Sequence, residues 1–176
     1  MLNIEDFIRD VPDFPKPGII FKDITPLLGD IEALRQTIKM LADPYRNSGV
    51  DVVTGVEARG FVFGPMLADE LGVGFVPIRK PGKLPAETIS ESYELEYGTD
   101  TVEIHADAIT SGQKVLMCDD LIATGGTVEA ACKLVNKLGG DIVAAVFVLE
   151  LSFLPGRAKL EALGVETLSL VDVSGE

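Results

Sequence analysis

One stretch of this chain, residues 115–127, constrains the fold more than any other. Four apolar residues, 115–118, open it, and a short apolar run of this kind is typical of a strand buried on both faces. Two carboxylates follow, Asp119 and Asp120, and then comes a loop of small residues. From Val128 onward, apolar residues recur at helical spacing. The stretch therefore predicts a strand, an acidic pair, a Gly/Thr loop and the N-terminus of a helix.

The small-residue loop and the helix start behind it suit a phosphate group. A helix N-terminus presents unpaired N–H groups and a partial positive charge, which attract anions. Gly125 and Gly126 let the backbone approach an anion without a Cβ in the way, and Thr124 and Thr127 supply hydroxyl donors. The loop contains no Lys, so it is not the P-loop of nucleoside triphosphatases. Because the preceding carboxylates can accept hydrogen bonds from hydroxyls, the whole pattern predicts a site for a ribose 5-phosphate.

The same stretch, with its hydrophobic strand, Asp-Asp pair and Ala-Thr-Gly-Gly-Thr loop, resembles the signature of the type I phosphoribosyltransferases. Members of this family bind phosphoribosyl pyrophosphate. The resemblance implies that Asp119 and Asp120 hold the ribose hydroxyls. It also implies that the 5-phosphate lies in a phosphate loop composed of Ala123, Thr124, Gly125, Gly126 and Thr127.

Composition and charge narrow the class of protein further. The chain has 176 residues, of which 47% are hydrophobic and 24% charged, and this fits a single globular domain spanning 1–176. The net charge of −13 argues against a general nucleic-acid binder, because phosphate backbones require an excess of Lys and Arg. Cys118 and Cys132 fit no redox or metal-ligand spacing, so we expect reduced core thiols. We see no signal peptide and no membrane-length apolar window, and we expect a cytoplasmic protein without a membrane partner.

Strand patterns alternate with helical patterns along the chain, and this alternation predicts the fold. An α/β fold results, with a parallel sheet and helices on both faces, connected by right-handed crossovers. Ligands in such sheets bind at the carboxyl ends of the strands. The predicted strands are 51–56, 74–78, 114–118, 142–149 and 167–171. Towards the N-terminus, the spacing predicts a short amphipathic helix over Leu2–Asp10, and a longer one from an Asp30 N-cap to Tyr45.

Two further segments carry cations to the same edge of the predicted sheet. Arg59 follows the first predicted strand, in a turn that matches the family's pyrophosphate loop. The resemblance implies a catalytic and pyrophosphate-binding role for Arg59 and a non-proline cis peptide at this turn. After the second strand comes the cationic segment, residues 79–83. Three of its five residues are cations, Arg79, Lys80 and Lys83, although the chain as a whole is acidic. Because Arg and Lys pair with phosphate oxygens, this segment predicts a pyrophosphate site.

A polar excursion with alternating residues follows and predicts a β-hairpin lid. The resemblance implies that residues 80–100 form a flexible catalytic loop, and a closing lid would exclude water from the reacting centre. Glu96 matches the family's Glu in the motif Leu-Glu-Tyr-Gly and is implied to handle the proton on the base, with Glu91 and Glu94 as rivals. Tyr97, in the same motif, is implied to bind phosphoribosyl pyrophosphate.

The N-terminal segment resembles the part of the adenine-specific family members that covers the base. Residues 17–26 are similar to it at every position, although Lys22 stands where many relatives carry Arg. The resemblance implies that residues 1–29 cover the base, with Ile20 against one face of adenine and the backbone near it reading the amino edge. The implied adenine-binding residues are Ile20, Phe21, Lys22 and Leu151.

The activity implied by the resemblance is transfer of the 5-phosphoribosyl group from phosphoribosyl pyrophosphate to adenine, giving AMP and pyrophosphate in purine salvage. It implies a homodimer, and Mg²⁺ held mainly by substrate and water, because Mg²⁺ keeps several waters and few protein ligands. Two alternatives remain: a phosphoribosyltransferase for xanthine or hypoxanthine, and a non-catalytic regulator that senses phosphoribosyl pyrophosphate. A 6-oxo base presents an acceptor where adenine presents a donor, so polar pairing at that edge would separate the bases.

Overall fold

The computed structural model describes residues 2–95 and 98–175 of the chain. In chain order the strands are β1 (Arg9–Pro12), β2 (Ile20–Asp23), β3 (Val52–Val56), β4 (Gly74–Ile78), β5 (Thr88–Glu94), β6 (Thr99–His105), β7 (Lys114–Ile122), β8 (Asp141–Leu151) and β9 (Thr167–Val173). The α-helices are α1 (Thr25–Gly29), α2 (Ile31–Ala42), α3 (Gly60–Leu71), α4 (Gly126–Lys137) and α5 (Gly156–Ala162). Short 3₁₀ helices span Ile4–Phe7 and Asp43–Tyr45.

Five parallel strands form the central sheet, in the order β4-β3-β7-β8-β9. The middle strand, β7, is buried along most of its length, which explains its nearly continuous apolar sequence. Because all five strands run in one direction, their carboxyl ends share one edge. The predicted α/β fold is therefore confirmed, and the turns after β3, β4, β7 and β8 meet at this edge.

Separate hydrophobic cores cover the two faces of the central sheet. Successive side chains of a strand point to opposite faces, so Leu116 packs with the core under α2 and α3, whereas Met117 packs with the core under α4 and α5. Helices thus lie on both faces, as the sequence predicts. Cys118 and Cys132 are both free and buried within these cores.

Two antiparallel hairpins stand apart from the central sheet. Strands β1 and β2 pair near the N-terminus. Strands β5 and β6 form the hairpin predicted as a lid, and a single bridge between Arg79 and Glu103 joins β6 to the segment after β4. Val102 and Ile104 of β6 are fully buried against the α4 side of the molecule. In this structure the hairpin is therefore packed on the body of the protein.

Several predicted boundaries differ from the structure. The helix predicted over Leu2–Asp10 is wrong beyond its first turn, because only a 3₁₀ turn forms before the chain extends into β1. The Asp30 N-cap is confirmed, since its Oδ1 accepts from the N–H groups of Glu32 and Ala33 at 3.0 and 2.9 Å. Helix α2 ends at Ala42, before Pro44, which cannot continue the helical hydrogen bonding.

Candidate active site

The phosphate loop connects β7 to α4 at the carboxyl edge of the sheet. Gly125 occupies the N-cap position with φ of +77°, a left-handed conformation that favours glycine, and Gly126 is the first residue of the helix. The loop lines a pocket of about 390 Å³, a size typical of small-ligand sites. The lining comprises Glu57, Ala58, Arg59, Lys80, and all of residues 119–128. The pocket thus brings together most of the phosphate-binding residues predicted from sequence.

The acidic pair lies inside β7 rather than after it, because the strand runs four residues past its predicted end. Asp120 is 5% exposed, and its N–H donates to Oδ1 of Asp119 at 2.9 Å. Burial raises the pKa of Asp119, and the charge of Asp120 raises it further. Burial also raises the pKa of Asp120, although the nearby Arg59 opposes this rise. Burial therefore makes ionisation of this pair costly, and both carboxylates can accept hydrogen bonds in the pocket.

Arg59 joins the acidic pair to the turn after β3. It occupies the N-cap position of α3, and its Nε lies 2.6 Å from Oδ2 of Asp120, while half of its side chain stays exposed. The peptide bond between Glu57 and Ala58 in this turn is cis, as the family resemblance implies. The first turn of α3 approaches the pair closely, since a Cβ added to Gly60 would lie 3.0 Å from Oδ1 of Asp119.

The side chain of Glu57, which is 8% exposed, binds three groups of the cationic segment. Its Oε2 accepts from Nε and Nη2 of Arg79 at 3.0 and 2.8 Å. Its Oε1 accepts from the backbone N–H of Lys80 at 2.6 Å and lies 3.1 Å from Nζ of Lys83. Burial acts to raise the pKa of Glu57, but these donors together hold it below its ordinary value. Glu57 is therefore an anion that fixes the positions of three groups of the cationic segment.

The side chain of Lys80 connects this pocket to the hairpin. Its Nζ is ion-paired with Asp100 of β6 and donates to the hydroxyl of Tyr93 of β5 at 2.8 Å. Burial acts to lower the pKa of Lys80, but its bonds to Asp100 and Tyr93 raise it overall. The ring of Tyr93 also faces the phosphate loop, since a Cβ added to Gly126 would lie 3.1 Å from its Cδ2 atom.

The remaining predicted site residues lie elsewhere. Arg79 and Lys83 contact the pocket-lining Glu57 without being among the described residues that line the pocket themselves. The residues predicted to bind adenine, Ile20, Phe21, Lys22 and Leu151, also lie outside that lining. Glu96 and Tyr97 fall outside the described residues, so the structure gives no position for either.

The segment predicted to cover the base presents apolar surface next to ion pairs. Ile20 of β2 is 55% exposed, and the ring of Phe21 packs edge-on against Phe14 at 5.2 Å between centroids. The Nζ of Lys22 lies 2.6 Å from Oδ1 of Asp10 on β1. An exposed Ile on a strand can receive a flat ring, as the family resemblance implies for Ile20.

The described residues of the pocket form no dedicated metal cage. Among residues 2–95 and 98–175, no group of three or more His, Cys, Asp or Glu side chains is placed to hold a metal ion. The same ranges contain no helix with the length and apolarity needed to span a bilayer.

Comparison with known proteins agrees with this geometry. Residues 28–159 match the phosphoribosyl transferase domain family. The chain is 56% identical over 172 residues to the adenine phosphoribosyltransferase of Serratia proteamaculans, which covers 98% of this chain and 87% of that protein. The chain belongs to the adenine phosphoribosyltransferases of the type I phosphoribosyltransferase family. The resemblance inferred from the sequence is thereby confirmed.

Solved structures of other adenine phosphoribosyltransferases share the fold. The enzyme from Thermoanaerobacter pseudethanolicus superposes with a TM-score of 0.92 at 55% identity, over 97% of this chain and 98% of that one. The enzyme from Saccharomyces cerevisiae was solved with D-2,5-dideoxy-2,5-imino-altritol 1,6-bisphosphate and adenine. It superposes with a TM-score of 0.88 at 42% identity, over 95% of this chain and 96% of that one.

Sequence analysis missed three residues that line this pocket or contact its lining, namely Glu57, Tyr93 and Asp100. Glu57 directly follows β3, as Asp119 follows the predicted end of β7, and its place at a strand end was the available signal. Tyr93 and Asp100 lie opposite each other in the hairpin register. They gave no signal of their own, because their partner Lys80 lies on a separate segment.

Proposed function

We propose that this phosphoribosyltransferase binds phosphoribosyl pyrophosphate in the pocket behind the phosphate loop and joins its ribose to adenine, giving AMP and pyrophosphate. The observation that carries the assignment is one pocket lined by a glycine-rich helix start, three carboxylates, an arginine and a lysine. In the reaction, N9 of adenine forms a bond to C1′ while the bond from C1′ to the pyrophosphate oxygen breaks. The electron pair leaves with pyrophosphate, and the purine loses a proton.

The ribose 5-phosphate part of the substrate occupies the phosphate loop and the acidic pair in this proposal. Backbone N–H groups at the start of α4 and the hydroxyls of Thr124 and Thr127 hold the 5-phosphate. Asp119 and Asp120 accept hydrogen bonds from the ribose hydroxyls. Arg59 supports this arrangement, because its contact with Asp120 keeps a cation between the acidic pair and the pyrophosphate.

The pyrophosphate is held by cations from the turns after β3 and β4 and by a tyrosine hydroxyl. Arg59 and Lys80 line the pocket, and we assign Arg79, Lys83 and Tyr97 to the same group. The oxygen-rich lining fits Mg²⁺, a hard cation that prefers oxygen ligands and keeps several waters. Asp119 and Asp120 would hold it through water, and the substrate oxygens would supply the other ligands. When bound, Mg²⁺ would neutralise charge on the leaving pyrophosphate.

Adenine is assigned to the surface formed by the N-terminal segment and the end of β8. Residues 1–29 cover the base, with Ile20, Phe21, Lys22 and Leu151 in contact with it. Residues 80–100 form the catalytic loop, on which Glu96 shares a proton with adenine N7 and thereby shifts electron density towards N9. We further propose a homodimer and, in keeping with the free thiols in the cores, a cytoplasmic location.

The test of this function is product formation from phosphoribosyl pyrophosphate with Mg²⁺ and each of three bases. We expect AMP from adenine, and turnover with hypoxanthine or xanthine lower by at least about 100-fold. Comparable turnover of a 6-oxo base would favour the alternative purine specificity. Binding of phosphoribosyl pyrophosphate without turnover of any base would instead support the regulator.

The role of Glu96 needs a separate experiment. Glu96→Leu should reduce turnover with adenine by at least about 100-fold, since proton transfer contributes 100- to 10,000-fold, while phosphoribosyl pyrophosphate still binds. Glu94→Leu, at an exposed hairpin position, is the matched control and should change turnover far less. Glu91→Leu removes the ion pair with Lys137. Equal, small losses in all three variants would leave the hairpin as a cover without an acid or base.

A further inference from the structure

Gly156, the first residue of α5, is in direct backbone contact with the phosphate loop. Its N–H donates to the carbonyl oxygen of Ala123 at 3.0 Å. A Cβ added to Gly156 would lie 2.4 Å from that oxygen and 2.6 Å from Cγ1 of Ile122. A Cβ added to Gly125 would lie 2.8 Å from Cα of Gly156. Because interiors are close-packed, neither glycine leaves room for a methyl group, and the two backbones fix each other's position.

An ion pair between the buried Glu150 and the partly exposed Arg157 anchors the start of α5 on the central sheet. Arg157 follows Gly156 directly, and its Nε donates to Oε1 of Glu150 at 2.7 Å, while Nη2 binds Oε2. Its Nη1 donates to the carbonyl oxygen of Thr167 on β9 at 2.9 Å. Glu150 is 3% exposed and also accepts from Oγ of Ser169 at 2.7 Å. The carboxylate is thus matched by donors from α5 and β9.

The reaction assigned above makes no use of this ion pair. Neither Glu150 nor Arg157 is among the described residues that line the pocket. An ion pair that includes a buried carboxylate is weak support for stability, because desolvation of that carboxylate offsets much of the attraction between the charges. In the sheet register, however, Glu150 on β8 stands beside Ile122 on β7, directly before the phosphate loop. The pair therefore fixes α5 at the point where the loop leaves its strand.

We propose that Gly156 is a positioning residue for the 5-phosphate site, and that the Glu150–Arg157 pair holds it in place. This inference rests on the proposed function, in which the phosphate loop binds the 5-phosphate. A side chain at position 156 displaces the Ala123 carbonyl and Gly125, so that the N–H groups at the start of α4 no longer converge on the anion. Of the residues assigned to adenine, Ile20, Phe21 and Lys22 lie on β2, away from this contact. Leu151 ends β8, but the three atoms nearest to a Cβ at position 156 belong to Ala123 and Ile122, so we expect the base site to keep its shape.

Gly156→Ala tests the inference, with Gly74→Ala as the matched control. Gly74 lies on β4, and a Cβ added there meets no atom within 4 Å. Calorimetry gives the Kd of ribose 5-phosphate, and steady-state kinetics gives KM for each substrate and kcat. For Gly156→Ala we expect the Kd of ribose 5-phosphate and the KM of phosphoribosyl pyrophosphate to rise at least about tenfold. The KM of adenine should stay within about twofold, and Gly74→Ala should match the unmodified protein.

Two substitutions at Arg157 decide the matter if Gly156→Ala does not fold. Arg157→Met removes the charge, and Arg157→Lys keeps the charge but loses the two-pronged contact. We expect the Kd of ribose 5-phosphate to rise with both, and less with Lys than with Met. An unchanged Kd in Gly156→Ala or in Arg157→Met would overturn the inference, as would equal rises in the KM values of both substrates. If the unmodified protein bound ribose 5-phosphate but made no AMP, the proposed function would fail while the positioning role stood.

Discussion

The phosphate loop and the cationic segment are both assigned to phosphate groups, yet the structure builds them differently. The loop is shaped by its backbone: Gly125 is left-handed, and its contact with Gly156 leaves no free space. The cationic segment is shaped by side-chain ion pairs with Glu57 and Asp100. A backbone site fails through steric clash and responds little to salt. Side-chain cations instead give up a carboxylate partner when they bind a phosphate, so their affinity for the ligand depends on charge and ionic strength.

Gly126→Val should have the largest effect on this comparison. The branched side chain would crowd the anion, and its Cβ would lie 3.1 Å from the ring of Tyr93. We expect the affinity for phosphoribosyl pyrophosphate to fall at least about 100-fold, equally at low and high salt, as measured by calorimetry. Gly74→Val, in open space on β4, is the control. Unchanged affinity would place the phosphate site elsewhere.

Asp120→Asn tests the acidic pair, which lies next to the phosphate loop in the pocket but acts through its charge. The change removes a charged acceptor and the partner of Arg59. We expect kcat/KM to fall by about 1–3 kcal/mol in transition-state terms, the size of a hydrogen bond to a charged group. The loss should vary little with salt, because the pair is buried. Asp141 is exposed at the start of β8, at the edge of the sheet opposite the pocket, so the control variant Asp141→Asn should leave kcat/KM unchanged. Full activity of Asp120→Asn would contradict the assignment.

Asp119→Asn should increase stability while it reduces activity. Burial raises the pKa of Asp119 above its ordinary 3.8, so above pH 3.8 the folded state binds more protons than the unfolded state, and stability falls as pH rises. The amide removes that penalty. At pH 7 we expect a higher Tm for the variant; in a chain of this size, each 1 kcal/mol of added stability raises Tm by about 2–4 °C. The two proteins should converge below pH 3.8, and a lower Tm for the variant at pH 7 would refute the proposed cost of ionising Asp119.

Asp100→Asn should give the smallest effect, and it should strengthen ligand binding, whereas Gly126→Val weakens it. It removes the anion that competes with substrate for Lys80, and partly exposed pairs of this kind contribute up to about 1 kcal/mol. We expect pyrophosphate to bind about two- to fivefold more tightly, which corresponds to an energy of up to about 1 kcal/mol. This gain in affinity should shrink as the salt concentration increases. A gain that persisted at high salt, or a weaker affinity, would mean that Asp100 positions Lys80 instead of competing for it.

The order of strands and helices was predictable because apolar periodicity depends on residues that are close in sequence. The buried run at 142–149 became the core of β8, and the alternation of strands and helices gave the parallel sheet. Strand β7 continues through Asp119 and Asp120 because β8 supplies ladder partners to both sides of them, which outweighs the low strand propensity of Asp. No local pattern reports a tertiary partner of this kind.

The site was predictable where backbone chemistry defines it and unpredictable where distant side chains meet. The phosphate loop followed from its glycines and the helix start behind it. The partners of the cations did not, since Glu57 precedes Arg79 by 22 residues and Asp100 follows Lys80 by 20. Gly156 was missed for a related reason: its contact with Ala123 exists only once α5 is packed against the turn after β7.

The division of the interior by the central sheet has a consequence for how substitutions combine. Leu67 of α3 and Leu134 of α4 are both fully buried, but they belong to cores on opposite faces. Substitutions at sites that share no neighbours change the free energy of unfolding independently. Replacing both leucines by alanine should therefore reduce it by the sum of the two single effects. Evolution can therefore repack the interior beneath α2 and α3 without a correlated change beneath α4, where the phosphate loop begins.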